Sequence, residues 1–172
     1  MEKKTEHVFK NLQEMNVPFE ILKHEKVHTI QECYDLIPLD WTQTVMPRNA
    51  LVCNRQQTAF YLMQMSPKTP FKTSYVSHAL GSSRLSFAPE EKLQSLLGCA
   101  SGALSPLGLL FDEEKKVQLV MDEALRDKAY YAFHPCDAEA TVVMRAEAFF
   151  EGFLEKMKKS ICWLQMPKEE EE

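Results

Sequence analysis

The chain has 172 residues, 45% hydrophobic and 26% charged, with a formal net charge of −5. That length suffices for one domain with its own core, and no apolar run approaches the ~20 residues that a membrane helix needs. An acidic chain is a poor general binder of nucleic acid, so DNA binding is excluded as an expectation and any RNA contact is expected to be local.

The charged N-terminus (Glu2, Lys3, Lys4, Glu6) lacks a signal-peptide core, and a cytoplasmic location is expected. Val8, Leu12 and Met15 recur at helical spacing, with Phe9 beside them, which predicts a helix over 5–16 closed by Pro18. Residues 17–22 read as a strand. Thr29-Ile30-Gln31-Glu32 has the form of a capping box, so a short helix should follow to about Ile37, where Pro38 stops it. Residues 39–48 read as a loop. The apolar runs 49–53 and 59–65 flank Asn54-Arg55-Gln56-Gln57 and predict a hairpin. A helix over 73–80 ends at Gly81, a short strand covers 84–87, and a helix starting at Pro89 runs to Gly98. Residues 107–111 and 117–121 flank the charged stretch Asp112 to Lys116 and predict a second hairpin. Strands are expected over 130–133 and 141–145, then an amphipathic helix over 146–159 with Phe149, Phe150, Phe153, Leu154 and Met157 inward. Residues 1–160 form a single domain in this reading. Residues 161–172 form a tail whose acidic end, Glu169 to Glu172, is expected to be disordered. Hairpins mixed with helices imply a mixed, mainly antiparallel sheet with helical layers around it. No GxGxxG follows a strand, which argues against a doubly wound nucleotide fold.

The five cysteines are odd in number, widely spaced and without a CxxC, so neither a disulfide framework nor a zinc cage is expected. Cys136 beside Phe133-His134-Pro135 raises the alternative of a thiol nucleophile, which would need a tuned environment. His24-Glu25-Lys26-Val27-His28 literally matches HExxH, a zinc-peptidase pattern that works only on a helix. It precedes the helix cap at Thr29, so a strand end or loop is the expected setting, and no metal is expected. Pro135 biases His134 toward extended backbone, which would fix the direction of its ring at a strand end. A structural histidine and a pocket-lining one both fit. Gly102-Ala103-Leu104-Ser105-Pro106 makes a stiff turn that is either an ordinary corner or a backbone wall against a ligand. Arg48-Asn49 stands where a loop enters a strand, a place for a surface cation or a phosphate anchor. Gly81 to Phe87 offers Arg84 and several hydroxyls, including Ser86.

Four segments together resemble the YbaK/prolyl-tRNA-synthetase-associated editing family: residues 48–58, 81–87, 102–108, and Phe133-His134-Pro135 with Ala140-Thr141 following. The similarity spans roughly residues 5–158. It implies a mixed α/β fold with a partly barrel-like central sheet, and hydrolysis of the ester of a mischarged aminoacyl-tRNA, alanyl-tRNA(Pro) foremost. Such an activity has a physical reason. A pocket shaped for proline cannot strongly reject alanine, because a missing methylene is worth only about 1–3 kcal/mol. The resemblance implies His134, Arg48 and Asn49 as catalytic positions, and Gly102, Ala103, Ser105, Pro106, Arg84, Ser86 and Thr29 around the substrate. It implies no cofactor. It implies the tRNA acceptor end as partner, with prolyl-tRNA synthetase as a second, and neither membrane nor DNA. Where the family carries lysine-asparagine, this chain has Arg48-Asn49. Arginine stays protonated and cannot serve as a general base. A catalytically silent relative that binds tRNA or a synthetase is therefore the alternative.

Overall fold

The computed structural model describes residues 2–167. Helix α1 (Glu2–Glu14) leads to β1 (Glu20–Lys23), then α2 (Ile30–Leu36), β2 (Thr44–Val45), β3 (Arg48–Asn54) and β4 (Phe60–Met65). Helix α3 (Thr73–Leu80), β5 (Leu85–Phe87) and α4 (Glu90–Leu97) follow. Beyond two 3-10 segments (Ser101–Ala103 and Pro106–Phe111) come β6 (Val117–Asp122), β7 (Tyr130–Phe133), β8 (Ala140–Arg145), the π-helical α5 (Ala148–Leu154) and β9 (Ile161–Leu164).

The strands form two mixed sheets, a four-stranded one in the order β1-β8-β7-β2 and a five-stranded one in the order β5-β3-β4-β6-β9. This is the mixed α/β class that the sequence implies, with its central sheet divided in two. The inner faces meet in one core. Leu51, Leu62 and Leu119 of one sheet pack with Tyr131, Phe133 and Val142 of the other, and with Val8, Leu12, Phe149 and Phe153 from α1 and α5. Helix α2 covers the outer side of the smaller sheet, where Cys33 and Ile37 meet Ala132 and Val143. Helix α3 covers the outer side of the larger one, where Val76 meets Val52 and Met63. No helix among the described residues is long and apolar enough to cross a membrane.

Four features differ from the sequence expectation. The apolar run 107–111 is not a strand. Ser105 accepts a hydrogen bond from the Leu107 N–H, Pro106 occupies the first turn, and a 3-10 helix results. The second hairpin therefore does not form, and β6 pairs in parallel with β4 and β9. The expected loop 39–48 contains β2, which pairs in parallel with Tyr130 and Tyr131. The helix after Arg145 widens to π geometry and gives way to β9 where a tail was expected, so the chain after residue 160 is partly built into the larger sheet. The acidic run 169–172 lies outside the described residues.

Candidate functional site

A cleft of about 140 Å³ opens where α2, the start of β3, the first 3-10 segment and the end of β7 come together. Each wall has a local reason to be there. Thr29 caps α2 by accepting a hydrogen bond from the Glu32 N–H at 3.1 Å, and the Glu32 carboxylate accepts from the His28 N–H at 2.7 Å. That reciprocal box fixes His28, Thr29, Ile30 and Cys33 along one wall. The Ser101 N–H donates to Glu90 at 3.1 Å and so ties the 3-10 turn, with Gly102, to α4. Cys136 takes left-handed backbone (φ 62) and turns the chain from β7 toward β8. The Thr5 hydroxyl of α1 donates to the Pro135 carbonyl at 3.1 Å and secures the same corner.

His134 stands at the cleft floor, 8% exposed. Its Nδ1 meets the Ala140 carbonyl at 2.9 Å, a contact that requires the proton on Nδ1. Nε2 is then an acceptor, and the Cys33 thiol lies 3.6 Å from it, donating. Burial pulls the His134 pKa below 6.5, aided by His24, against the opposing Ala140 bond and Asp137. Burial pushes the Cys33 thiol up to about 11, with Glu32 adding to the rise against the Cys33 backbone bond. The pair is thus a neutral thiol on a neutral imidazole, the reverse of the thiolate–imidazolium pair that makes a nucleophile. The His24 ring lies 6.1 Å from that of His134 and is bonded to the buried Thr141 hydroxyl at 2.8 Å.

Arg48 and Asn49 both line the cleft, but their side chains leave β3 in opposite directions. The Arg48 guanidinium donates to the Thr69 carbonyl at 2.7 Å on the outer side of the larger sheet. Thr69 is itself anchored at 2.6 Å to the buried Asp122 carboxylate. Asn49 turns inward. Its Nδ2 donates to the Pro47 carbonyl at 3.1 Å, and its Oδ1 accepts from the fully buried Gln64 amide. This orientation leaves one Nδ2 hydrogen for the cleft.

The remaining expected positions divide. Thr29 and Gly102 line the cleft with His134, Arg48 and Asn49. A Cβ built on Gly102 meets nothing within 4 Å, so the glycine leaves the cleft mouth open. Ala103, Ser105 and Pro106 are buried behind that wall: Ala103 packs on α2, and Ser105 and Pro106 start the second 3-10 helix. The corner therefore presents its glycine, and its proline sets the backbone from behind. Arg84 and Ser86 do not reach the cleft. Ser86 is registered with Cys53, at the end of β3 away from Arg48. Cys136 is fully buried, with its sulfur 2.7 Å from that of Cys99 and away from the cleft, which removes it as a nucleophile. The HExxH stretch lies in the loop after β1, where its histidines cannot sit one helical turn apart. Among the described residues no group of three His, Cys, Asp or Glu is placed to hold a metal. Cys33 was missed by the sequence reading. One thiol on a short helix carries no signal until the fold sets it against His134.

Comparison with known proteins gives a consistent picture. The aminoacyl-tRNA editing domain family matches residues 24–151. The chain is 31% identical over 142 residues to the prolyl-tRNA editing protein ProX of Acetoanaerobium sticklandii, covering 81% of this chain and 84% of that one. It is 25% identical over 124 residues to prolyl-tRNA synthetase associated domain-containing protein 1 of Danio rerio, covering 72% of this chain and 65% of that one. A crystal structure of a candidate trans-editing enzyme for prolyl-tRNA synthetase superposes with a TM-score of 0.71 at 16% identity, over 95% of this chain and 98% of that one, a likeness of fold.

Proposed function

The chain belongs to the aminoacyl-tRNA editing domain family, and from that premise we propose that it hydrolyses the ester of mischarged tRNA, with alanyl-tRNA(Pro) as its substrate. One observation carries the reading: Asn49, Gly102 and His134, far apart in the chain, line a single hollow of about 140 Å³. That is close to a cavity that takes a benzene-sized guest. A small aminoacyl group fits such a space, and its walls of Val27, Ile30, Met46, Leu104 and Phe133 suit a methyl side chain.

The aminoacyl ester is already activated, so positioning supplies most of the rate. Asn49 Nδ2 directs its free hydrogen at the ester oxygen that gains charge. His134, held neutral, offers Nε2 as an acceptor once the Cys33 thiol yields, orienting the attacking water or the neighbouring ribose hydroxyl. Arg48 keeps further N–H donors beyond the one given to Thr69 and holds phosphate at the cleft edge. Water adds to the carbonyl carbon, the ester C–O bond breaks, and the ribose oxygen leaves with a proton. The free amino acid and intact tRNA result. Prolyl-tRNA synthetase, which generates the mischarged species, is the proposed second partner.

Deacylation of alanyl-, seryl- and prolyl-tRNA tests this. The expected order is alanyl above seryl by at most about 100-fold, since an apolar pocket rejects an added hydroxyl weakly, with prolyl slowest. Rates equal to buffer for all three would remove the reading. The commitment of Arg48 to Thr69 favours a second one, a tRNA-binding relative without chemistry. Arg48→Lys separates the two: a large gain in deacylation marks the natural chain as the silent form.

A further inference from the structure

Charge is segregated along this chain. Between Asp40 and Glu90 lie Arg48, Arg55, Lys68, Lys72 and Arg84, with no Asp or Glu. A stretch of +5 in a chain of −5 leaves −10 for the remainder. The stretch includes β3, β4, α3 and β5, so these elements carry cations and no carboxylate while the whole chain is acidic. None of these five side chains forms an ion pair among the described residues. Lys68 adjoins Asp122 and Glu123 in a neighbouring hollow and is the least available of them.

An aromatic pair belongs to the same stretch. Phe87 is 63% exposed and lies on the edge strand β5, with its ring 5.5 Å from that of the half-buried Phe71. Phe87 is registered with Val52, and alternation puts Val52 on the face of β3 from which Arg48 emerges. Arg48 and Phe87 are thus separated by ~13 Å along the strand at 3.3 Å per residue. At about 3.4 Å per stacked nucleotide, that span is covered by a single-stranded end of four nucleotides or fewer. Lys72 adjoins Phe71 in the chain and is exposed, and Arg84 precedes β5. Cations beside an exposed ring are the two elements of sequence-tolerant single-strand binding: phosphate attraction and base stacking.

We propose that the exposed strip formed by β5 and the segment leading into α3, with Phe87 and Phe71 as stacking platform and Lys72 and Arg84 as phosphate contacts, holds the unpaired RNA nucleotides that lead into the cleft. This surface rests on the tRNA reading above and deepens it, because it says how an acidic protein grips a polyanion. The ester end enters past Arg48 while the preceding bases lie over residues 69–71, which run from the Arg48 guanidinium to the Phe87 ring.

The test uses wild type, Phe87→Ala and Lys72→Gln, both at exposed positions away from the cleft. Each is assayed on alanyl-tRNA(Pro) and on alanyl-adenosine, which carries the same ester without upstream nucleotides. Phe87→Ala is expected to raise KM for the tRNA about tenfold and to leave alanyl-adenosine hydrolysis unchanged. Binding of uncharged tRNA, followed by fluorescence anisotropy across salt, should weaken about tenfold in Phe87→Ala without a change of slope. In Lys72→Gln the slope of log affinity against log salt should fall by about 0.7. Equal tRNA affinity in all three proteins overturns the proposal, as does an equal loss on both esters. Wild type that binds tRNA with these dependences but cleaves neither ester upholds the surface and removes the deacylase reading. A wild-type dimer that Phe87→Ala dissociates, with RNA affinity unchanged, assigns the patch to a second copy and also overturns it.

Discussion

The cleft and the strip formed by β5 and the segment before α3 lie on either side of Arg48, yet they are made of opposite materials. The cleft floor is a neutral imidazole bonded to a neutral thiol, ringed by apolar side chains and one oriented amide. The neighbouring strip carries the exposed Lys72 and Arg84 and an exposed ring. On the proposed reading the difference is a division of labour. A site that must tell one small side chain from another works by shape and by dipoles fixed in a dry hollow. A surface that must hold a long anion whatever its sequence works by charge and stacking.

Substitutions inside the cleft should act on chemistry and be insensitive to salt. The largest effect is expected for Asn49→Ala, which removes the inward donor and should lower kcat by about 10²–10³. It also leaves the Gln64 amide without its partner, so melting should show a loss of about 1–3 kcal/mol. A drop in affinity for uncharged tRNA without a drop in kcat would move Asn49 to the binding side of the comparison. Gly102→Val comes next. Its side chain projects into the cleft mouth, so KM for alanyl-tRNA should rise several-fold while the melting temperature stays put, because a Cβ there meets no protein atom. A large fall in melting temperature would show that the turn, and not the opening, needs glycine.

Acid should separate the two regions more gently. The folded protein holds His134 below 6.5, so below that pH the unfolded chain binds more protons than the folded one. The stability His134 contributes is whole above pH 6.5 and is lost as pH falls through its folded pKa. Activity should be flat between pH 7 and 8 and decline below 6.5, with tRNA binding at constant salt unchanged over the same range. The smallest effect is expected for Cys33→Ala. Without the thiol donating to Nε2, the neutral ring loses a partner, and NMR titration should show the His134 pKa moving up toward 6.5 with kcat altered only a few-fold. A collapse of kcat would give the thiol a direct part in the chemistry.

Local signals in the sequence specified the elements whose causes are local. The capping box set α2, the polar tetrad after Cys53 set the β3–β4 turn, and Gly81 and Gly98 closed α3 and α4 in left-handed backbone. Illegible elements owe their state to distant partners. Thr44–Val45 is a strand only because Tyr130 and Tyr131 lie alongside, and Ile161–Leu164 only because β6 offers a free edge. The run 107–111 reads as a strand because a short apolar segment does not separate strand from helix by periodicity, and that reading passes over the helix start at Ser105-Pro106. The site divides in the same way. The family resemblance implies His134, Gly102 and Asn49, and the fold gathers these three around one cleft. The pairing of Cys33 with His134, the inward lock of Asn49 by Gln64 and the outward commitment of Arg48 exist only after folding.

The empty space beside Gly102 has a consequence for how such a protein changes over generations. Gly108, nearby in the chain, has no such latitude, since a Cβ there would stand 2.4 Å from the Leu97 carbonyl oxygen. At position 102 a lineage can add one, two or three carbons and narrow the entrance stepwise without disturbing the scaffold. If the cleft takes the proposed aminoacyl group, preference for a smaller or larger one can therefore drift by single codon changes while the rest of the molecule stays as it is.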